Sequence, residues 1–127
     1  MKKSIYTEHA PHPLGCYSQA LLAGNFLLVS GQIAVIPATG ELVGPDIKEQ
    51  TTRVLENIKA ILSEAGMTLN DVVKSTLYLA DINHLAVVNE IYGRYFADPL
   101  PAREAIEASR LPKDSGIELS VIAYKSN

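Results

Sequence analysis

The sequence predicts a single α+β domain, and three observations carry that expectation. A chain of 127 residues has room for one hydrophobic core and no second. Two stretches, 47–65 and 85–96, place apolar residues at helical spacing. Shorter runs around residues 15–31, 72–80 and 117–124 are apolar or β-branched and bounded by glycine, proline or asparagine, as strands are. One layer of two helices cannot cover both faces of a large sheet, so self-association is expected.

Composition narrows the function. Apolar residues make up 47% and charged residues 20%, ordinary for a globular chain. A net charge of -3 offers no pull toward phosphate backbones, which argues against nucleic-acid binding. The single cysteine, Cys16, excludes an internal disulfide and suits a reducing compartment. Behind Lys2 and Lys3 there is no apolar signal segment, and no run is long enough to span a membrane, so a cytoplasmic protein is expected.

Taken in order, residues 1–13 read as a polar, proline-broken arm. His9, His12 and His84 have no cysteine or carboxylate cluster at ligand spacing, so no metal site is expected. Strands follow at about 15–22 and 26–31, joined through Ala23-Gly24-Asn25, because Gly and Asn accept the positive φ of a tight turn. Gly31 interrupts the second strand and marks a bulge or a close approach to the backbone. Tyr17 alone reads as a packed ring more readily than a reacting phenol. Pro37, Gly40, Gly44 and Pro45 punctuate a loop.

Asp46 opens the clearest helix, with Glu49 at capping-box spacing and Gly66 as the stop. Val54, Leu55, Ile58, Ile61 and Leu62 form its apolar stripe, while Lys48, Arg53, Glu56 and Lys59 read as solvated. Residues 72–80 are a strand. Asp81 or Asn83 caps a second helix with a stripe of Leu85, Val88, Tyr92, Tyr95 and Phe96. Asn89 lies along that stripe and is expected to be buried, tying down a loop backbone.

The segment from Pro101 to Arg110 is in conflict with itself. Proline first, then alanines and early glutamates, is a helix start by local propensity, whereas residues 117–124 are plainly a strand. Residues 101–110 as helix or as strand both stay open on propensity. Fifteen residues separate Arg103 from Glu118, with Leu111-Pro112-Lys113-Asp114 as a turn between them. If the flanks pair as antiparallel strands, a guanidinium and a carboxylate come to one place. That pair would grip a small acid and direct water at it.

An ordered set of short motifs goes further: Gly15-x-Tyr17-Ser18-Gln19, Ser30-Gly31-Gln32-Ile33, Thr39-Gly40-Glu41, Val88-Asn89-Glu90-x-Tyr92, Pro101-Ala102-Arg103, Leu111-Pro112-Lys113-Asp114, and Ile117-Glu118 before Val121-Ile122-Ala123. Over nearly the whole chain this series resembles the Rid family of reactive-intermediate deaminases, also called YjgF-type. The resemblance implies a chorismate-mutase-like fold: a mixed six-stranded sheet with two helices on one face, assembled as a homotrimer with clefts between subunits. It also implies that residues 102–109 form a strand against their propensity.

The activity implied is hydrolysis of 2-aminoacrylate, 2-iminopropanoate, 2-iminobutanoate and similar imines or enamines to the 2-keto acid and ammonia. By that resemblance Arg103 holds the substrate carboxylate and Glu118 orients water and shuttles its proton, with a pKa raised by a partly dry cleft. Gly31 offers a backbone N–H, Tyr17 and Asn89 are pocket walls, and the Ala105 carbonyl holds the departing nitrogen or the water. No metal or cofactor is required, because an imine is already an activated electrophile. The alternative is a non-catalytic trimer of the same fold that binds small carboxylates. Glu104, Ser120, Ala105 and Cys16 depart from the family pattern, which commonly has serine, glutamate, cysteine and proline there. Strand alternation would place Glu104 with Ile106, away from Arg103, reaching solvent or a basic partner.

Overall fold

The computed structural model describes residues 1–126. In chain order the elements are β1 (Lys2–Ile5), β2 (Ala20–Ala23), β3 (Phe26–Ile33), α1 (Ile47–Glu64), β4 (Val72–Leu79), α2 (Leu85–Tyr95), β5 (Ala102–Glu107) and β6 (Ile117–Tyr124). The strands form one sheet in the order β1-β2-β3-β6-β4-β5. Neighbours are antiparallel except β4 and β5, which run parallel, so the sheet is mixed.

Helix α1 forms where its stripe and cap predict. Asp46 is extended, and its carboxylate accepts from the Lys48 backbone N–H. Gly66 takes the positive φ of +74° that lets the chain turn away. Val54, Leu55, Ile58, Ile61 and Leu62 are buried against Leu27 and Val29 of β3, Leu77 and Leu79 of β4, and Ile117, Leu119 and Val121 of β6. At ~1.5–3 kcal/mol per buried aliphatic side chain, α1 alone contributes on the order of 10 kcal/mol of gross burial. Helix α2 adds Val88, Ile91 and Tyr92 to the same core.

Both helices lie on one face of the sheet. The other face carries Phe26, Leu28, Ile106 and Tyr124, each 41–50% exposed. Phe26 and Tyr124 pack against each other there, with ring centroids 5.0 Å apart.

Residues 102–107 are strand, not helix. A parallel neighbour to β4 requires a crossover, and α2 supplies it, returning the chain to the start of the open edge of β4. Helix preferences differ by under ~1 kcal/mol per residue among these side chains. Pairing six residues with β4 outweighs that preference.

Four expectations need correction. Residues 1–13 are not all loose arm, because Lys2–Ile5 pairs with β2 as an edge strand. The strand read at 15–22 begins only at Ala20, and residues 14–19 are loop, pinched by a Tyr17 N–H to Gly15 carbonyl bond of 3.0 Å. Asn89 is exposed: Val88, Ile91 and Tyr92 take the inward positions of α2 and leave residue 89 outside. Finally, the segments around Arg103 and Glu118 do not pair with each other, because β4 lies between β5 and β6.

Candidate active site

The site begins at a fault in the β3–β6 ladder. Val29 pairs with Val121 and Gln32 with Leu119, so Ser30 and Gly31 together oppose the single residue Ser120. This bulge is fastened from outside. The Ser30 N–H donates to the Gln19 carbonyl at 2.9 Å, and Ser30 Oγ donates to the Ser18 carbonyl at 2.6 Å. Glycine at position 31 is what lets Glu118 keep its present place. A Cβ there would lie 2.0 Å from Glu118 Oε2 and 2.9 Å from its Cδ. The carboxylate occupies the space a side chain would take.

Glu118 reaches that position because β6 alternates. Ile117, Leu119 and Val121 point into the core, so Glu118 faces the opposite side. It lines a cavity of about 500 Å³ together with Tyr17, Gly31, Ile33 and Pro112. That is the size and partly apolar character of a small-molecule site. Among the described residues no hydrogen bond or ion pair reaches the Glu118 carboxylate. Burial, unrelieved by a cation, pushes its pKa above the ordinary glutamate value. Such a carboxylate is a stronger base than a solvated one and has free lone pairs to offer water.

The wall opposite is built by the 14–19 loop and the segment before it. Tyr17 is half exposed, and its hydroxyl accepts from the Leu14 N–H at 3.2 Å, which holds the ring at the rim. Gln19 is buried and ties this wall down. Its Oε1 accepts from the Thr7 N–H at 2.7 Å, and its Nε2 donates to the carbonyls of Thr7 and Pro11 at 3.0 and 2.9 Å. Through those bonds Pro11 and His12 come to line the cavity, with His12 Nδ1 3.2 Å from the Tyr6 hydroxyl. Both residues belong to the segment whose sequence reads as a polar, proline-broken arm. The available signal was Gln19, an amide in an apolar run that must find backbone partners when buried.

The six predicted site residues sort into two groups. Tyr17, Gly31 and Glu118 share the cavity. Arg103, Ala105 and Asn89 do not line it; they gather at the other end of the sheet, around β5 and α2. Arg103 pairs with Ser75 and Ala105 with Leu77, both buried on the helix side, so the arginine and the alanine share that face. Glu118 pairs with Tyr78, three residues along β4 from Ser75, on the helix-free face. In one chain the two residues are therefore two strands apart across the sheet, about 10 Å, a further three residues apart along it, also about 10 Å, and on opposite faces.

Glu104 follows the alternation of its strand. It points away from Arg103 on the helix-free face and pairs with Lys74 Nζ at 2.5 Å. Its charge is met by a lysine and turned from the arginine.

Comparison with known proteins gives this arrangement a context. A family model described as endoribonuclease L-PSP matches residues 7–125. A RutC family protein of Pyrococcus abyssi is 61% identical over 124 residues, covering 98% of each chain. A rat protein named 2-iminobutanoate/2-iminopropanoate deaminase is 46% identical over 125 residues, covering 98% of this chain and 91% of its own. The solved structure of a protein of the conserved Rid family from Yersinia pestis superimposes with a TM-score of 0.96 at 44% identity, covering 98% of this chain and 100% of that one.

Proposed function

The chain belongs to the endoribonuclease L-PSP family, the Rid family its motifs resemble, and on that premise we propose that it hydrolyses reactive 2-imino and 2-enamino acids to 2-keto acids and ammonia. The observation that carries this reading is Glu118: an unpaired, partly desolvated carboxylate laid over Gly31 in a cavity of small-molecule size. The likeness to the rat deaminase supports it.

The reaction is a hydrolysis and balances with one water. Ionised Glu118 takes a proton from water as its oxygen bonds to the carbon of the protonated imine, giving a neutral carbinolamine. Glu118 gives that proton to the carbinolamine nitrogen, then takes the proton of the hydroxyl as the C–N bond breaks and C=O forms, releasing ammonia and the keto acid. An enamine enters after protonation at carbon gives the imine. Arg103 grips the substrate carboxylate through two parallel N–H bonds, which its planar fork allows. The Gly31 N–H, the Tyr17 hydroxyl and the Ala105 carbonyl orient the reacting centre, with Asn89 at the rim.

Arg103 and Glu118 face opposite sides of one chain, so the arginine that meets a given Glu118 comes from a second copy. Such a contact joins two different surface patches, and a closed ring of copies satisfies it at every site. A homotrimer with clefts between subunits fits this requirement, and the apolar face bearing Leu28 and Ile106 supplies the area to bury. RNA is a poorer occupant: even with Arg103 of a second copy the cleft sets one cation beside the Glu118 carboxylate, and the chain carries a net charge of -3.

The test generates 2-iminobutanoate in situ from threonine with a dehydratase and follows keto acid release. The protein is expected to accelerate release over buffer, and Glu118→Gln to abolish the acceleration. Saturable binding of 2-ketobutanoate with no acceleration would replace this reading with that of a non-catalytic carboxylate-binding protein.

A further inference from the structure

We infer that Tyr92 is a positioning residue for Arg103, its ring face setting the guanidinium in the orientation that receives a carboxylate. The inference rests on the proposed role of Arg103 and adds to it a residue that touches no substrate. Arg103 Cζ lies 4.8 Å from the centroid of the Tyr92 ring. Among the described residues no hydrogen bond or ion pair holds the Arg103 side chain. The ring is its visible support.

That support is rigid. The Tyr92 hydroxyl donates to Ser75 Oγ at 2.9 Å, and Ser75 is fully buried. Phe96, the residue that ends α2, packs against the ring at 4.4 Å between centroids. Ser75 is also the residue directly opposite Arg103 in the β4–β5 ladder. The phenol therefore reaches from helix to sheet and is anchored on the strand beside the arginine's own.

The geometry suits the task. An arginine on an edge strand has many rotamers to lose before its fork can make two parallel bonds. Contact with an aromatic ring engages the π face of the guanidinium and leaves its N–H edges free for a carboxylate. Glu104, the nearest acidic neighbour in sequence, is on the other face paired to Lys74 and does not compete. The ring restrains the cation without consuming its donors.

The test compares KM and kcat for 2-iminobutanoate in Tyr92→Leu, Tyr92→Phe, Arg103→Ala and the Tyr92→Leu/Arg103→Ala double variant, with Tm recorded for each. Loss of the ring is expected to raise KM about tenfold with a smaller change in kcat. Tyr92→Phe keeps the ring and loses the Ser75 bond, so its Tm falls while its KM returns to within about twofold of the parent. In the Arg103→Ala background, Tyr92→Leu adds nothing further to KM. A Tyr92→Leu effect that persists without Arg103, or a Tyr92→Phe variant as impaired in KM as Tyr92→Leu, overturns the inference and leaves the role of Arg103 standing. An Arg103→Ala protein with unchanged KM instead overturns the role of Arg103 and the inference with it. If Tyr92→Leu does not fold, Tyr92→Met removes the aromatic face while filling its volume and is read in the same way.

Discussion

Glu118 and Gly31 share one space: the carboxylate lies where residue 31 would carry its Cβ, 2.0 Å from Oε2 and 3.1 Å from Cγ. The room for the acid is made jointly by two strands and a bulge. It also means that a substrate approaching the Gly31 backbone meets the carboxylate at the same point. Binding and proton transfer are placed together by the absence of a side chain.

Gly31→Ala is expected to fold and to lose activity. The side chain in the way can swing toward the open cavity, so the stability cost stays within about 1 kcal/mol. Its carboxylate then moves by more than an ångström from its present position, a displacement that costs roughly 10²-fold in rate. Circular dichroism and Tm near the parent, with kcat lowered by that order, are the outcome to look for. Full activity would mean that the acid works from another position.

Burial raises the Glu118 pKa, and the sign of the consequence follows. The folded state holds the Glu118 proton more tightly than the unfolded state does. The stability linked to that proton is fully present below the ordinary glutamate value and is lost as pH rises through the elevated folded value. Glu118→Gln, which never ionises, is therefore expected to have a higher Tm than the parent at neutral pH, and the gap should close as pH falls below the ordinary carboxylate range. Activity moves oppositely, since the ionised form is the base: the acid limb of kcat/KM should lie above the ordinary glutamate pKa. A Tm gap independent of pH would show that ionised Glu118 is not destabilised in the fold.

Glu104→Ser tests whether an acid next to Arg103 in sequence matters to it. Glu104 is solvent-exposed and paired with Lys74 across the helix-free face. An exposed pair of this kind contributes ~0–1 kcal/mol. Stability is expected to change by no more than that, and KM for an anionic substrate by less than about threefold. A fall in KM of tenfold or more would show that the Glu104 charge reaches the substrate site.

Most of the fold was legible because α1, β4 and β6 each bury one regular stripe, and Asp46 and Gly66 end α1 where caps should. Three features were not. β5 has helical propensity and becomes a strand because α2 returns the chain to the edge of β4, a relation no local window contains. β1 is four residues long with three exposed, too short and too wet to show alternation. The 14–19 loop is apolar enough to read as strand, yet its shape is dictated by Gln19 bonds to residues up to twelve positions away. Of the site, Glu118 beside Gly31 was foreshadowed by a glycine inside a strand. The separation of Arg103 from Glu118 was hidden, because it depends on β4 entering between their strands.

That separation yields the sharpest prediction. At low substrate concentration, Arg103→Ala, whose KM is raised, and Glu118→Ala, which lacks the base, are each expected to show only a small fraction of the parent activity as homogeneous preparations. If every site takes Arg103 from one copy and Glu118 from the next, a mixed oligomer restores some intact sites. In a random one-to-one mixture, half the copies carry the arginine and half carry the glutamate. About a quarter of the sites then have both, so mixing the two variants under denaturing conditions and refolding should recover about a quarter of the parent activity. Recovery should be absent when either variant is refolded alone. A site contained within one chain cannot be rebuilt this way, because no single copy in the mixture carries both residues. Activity that stays at the level of the separate variants, in oligomers shown by mass spectrometry to be mixed, would therefore overturn the shared site between copies.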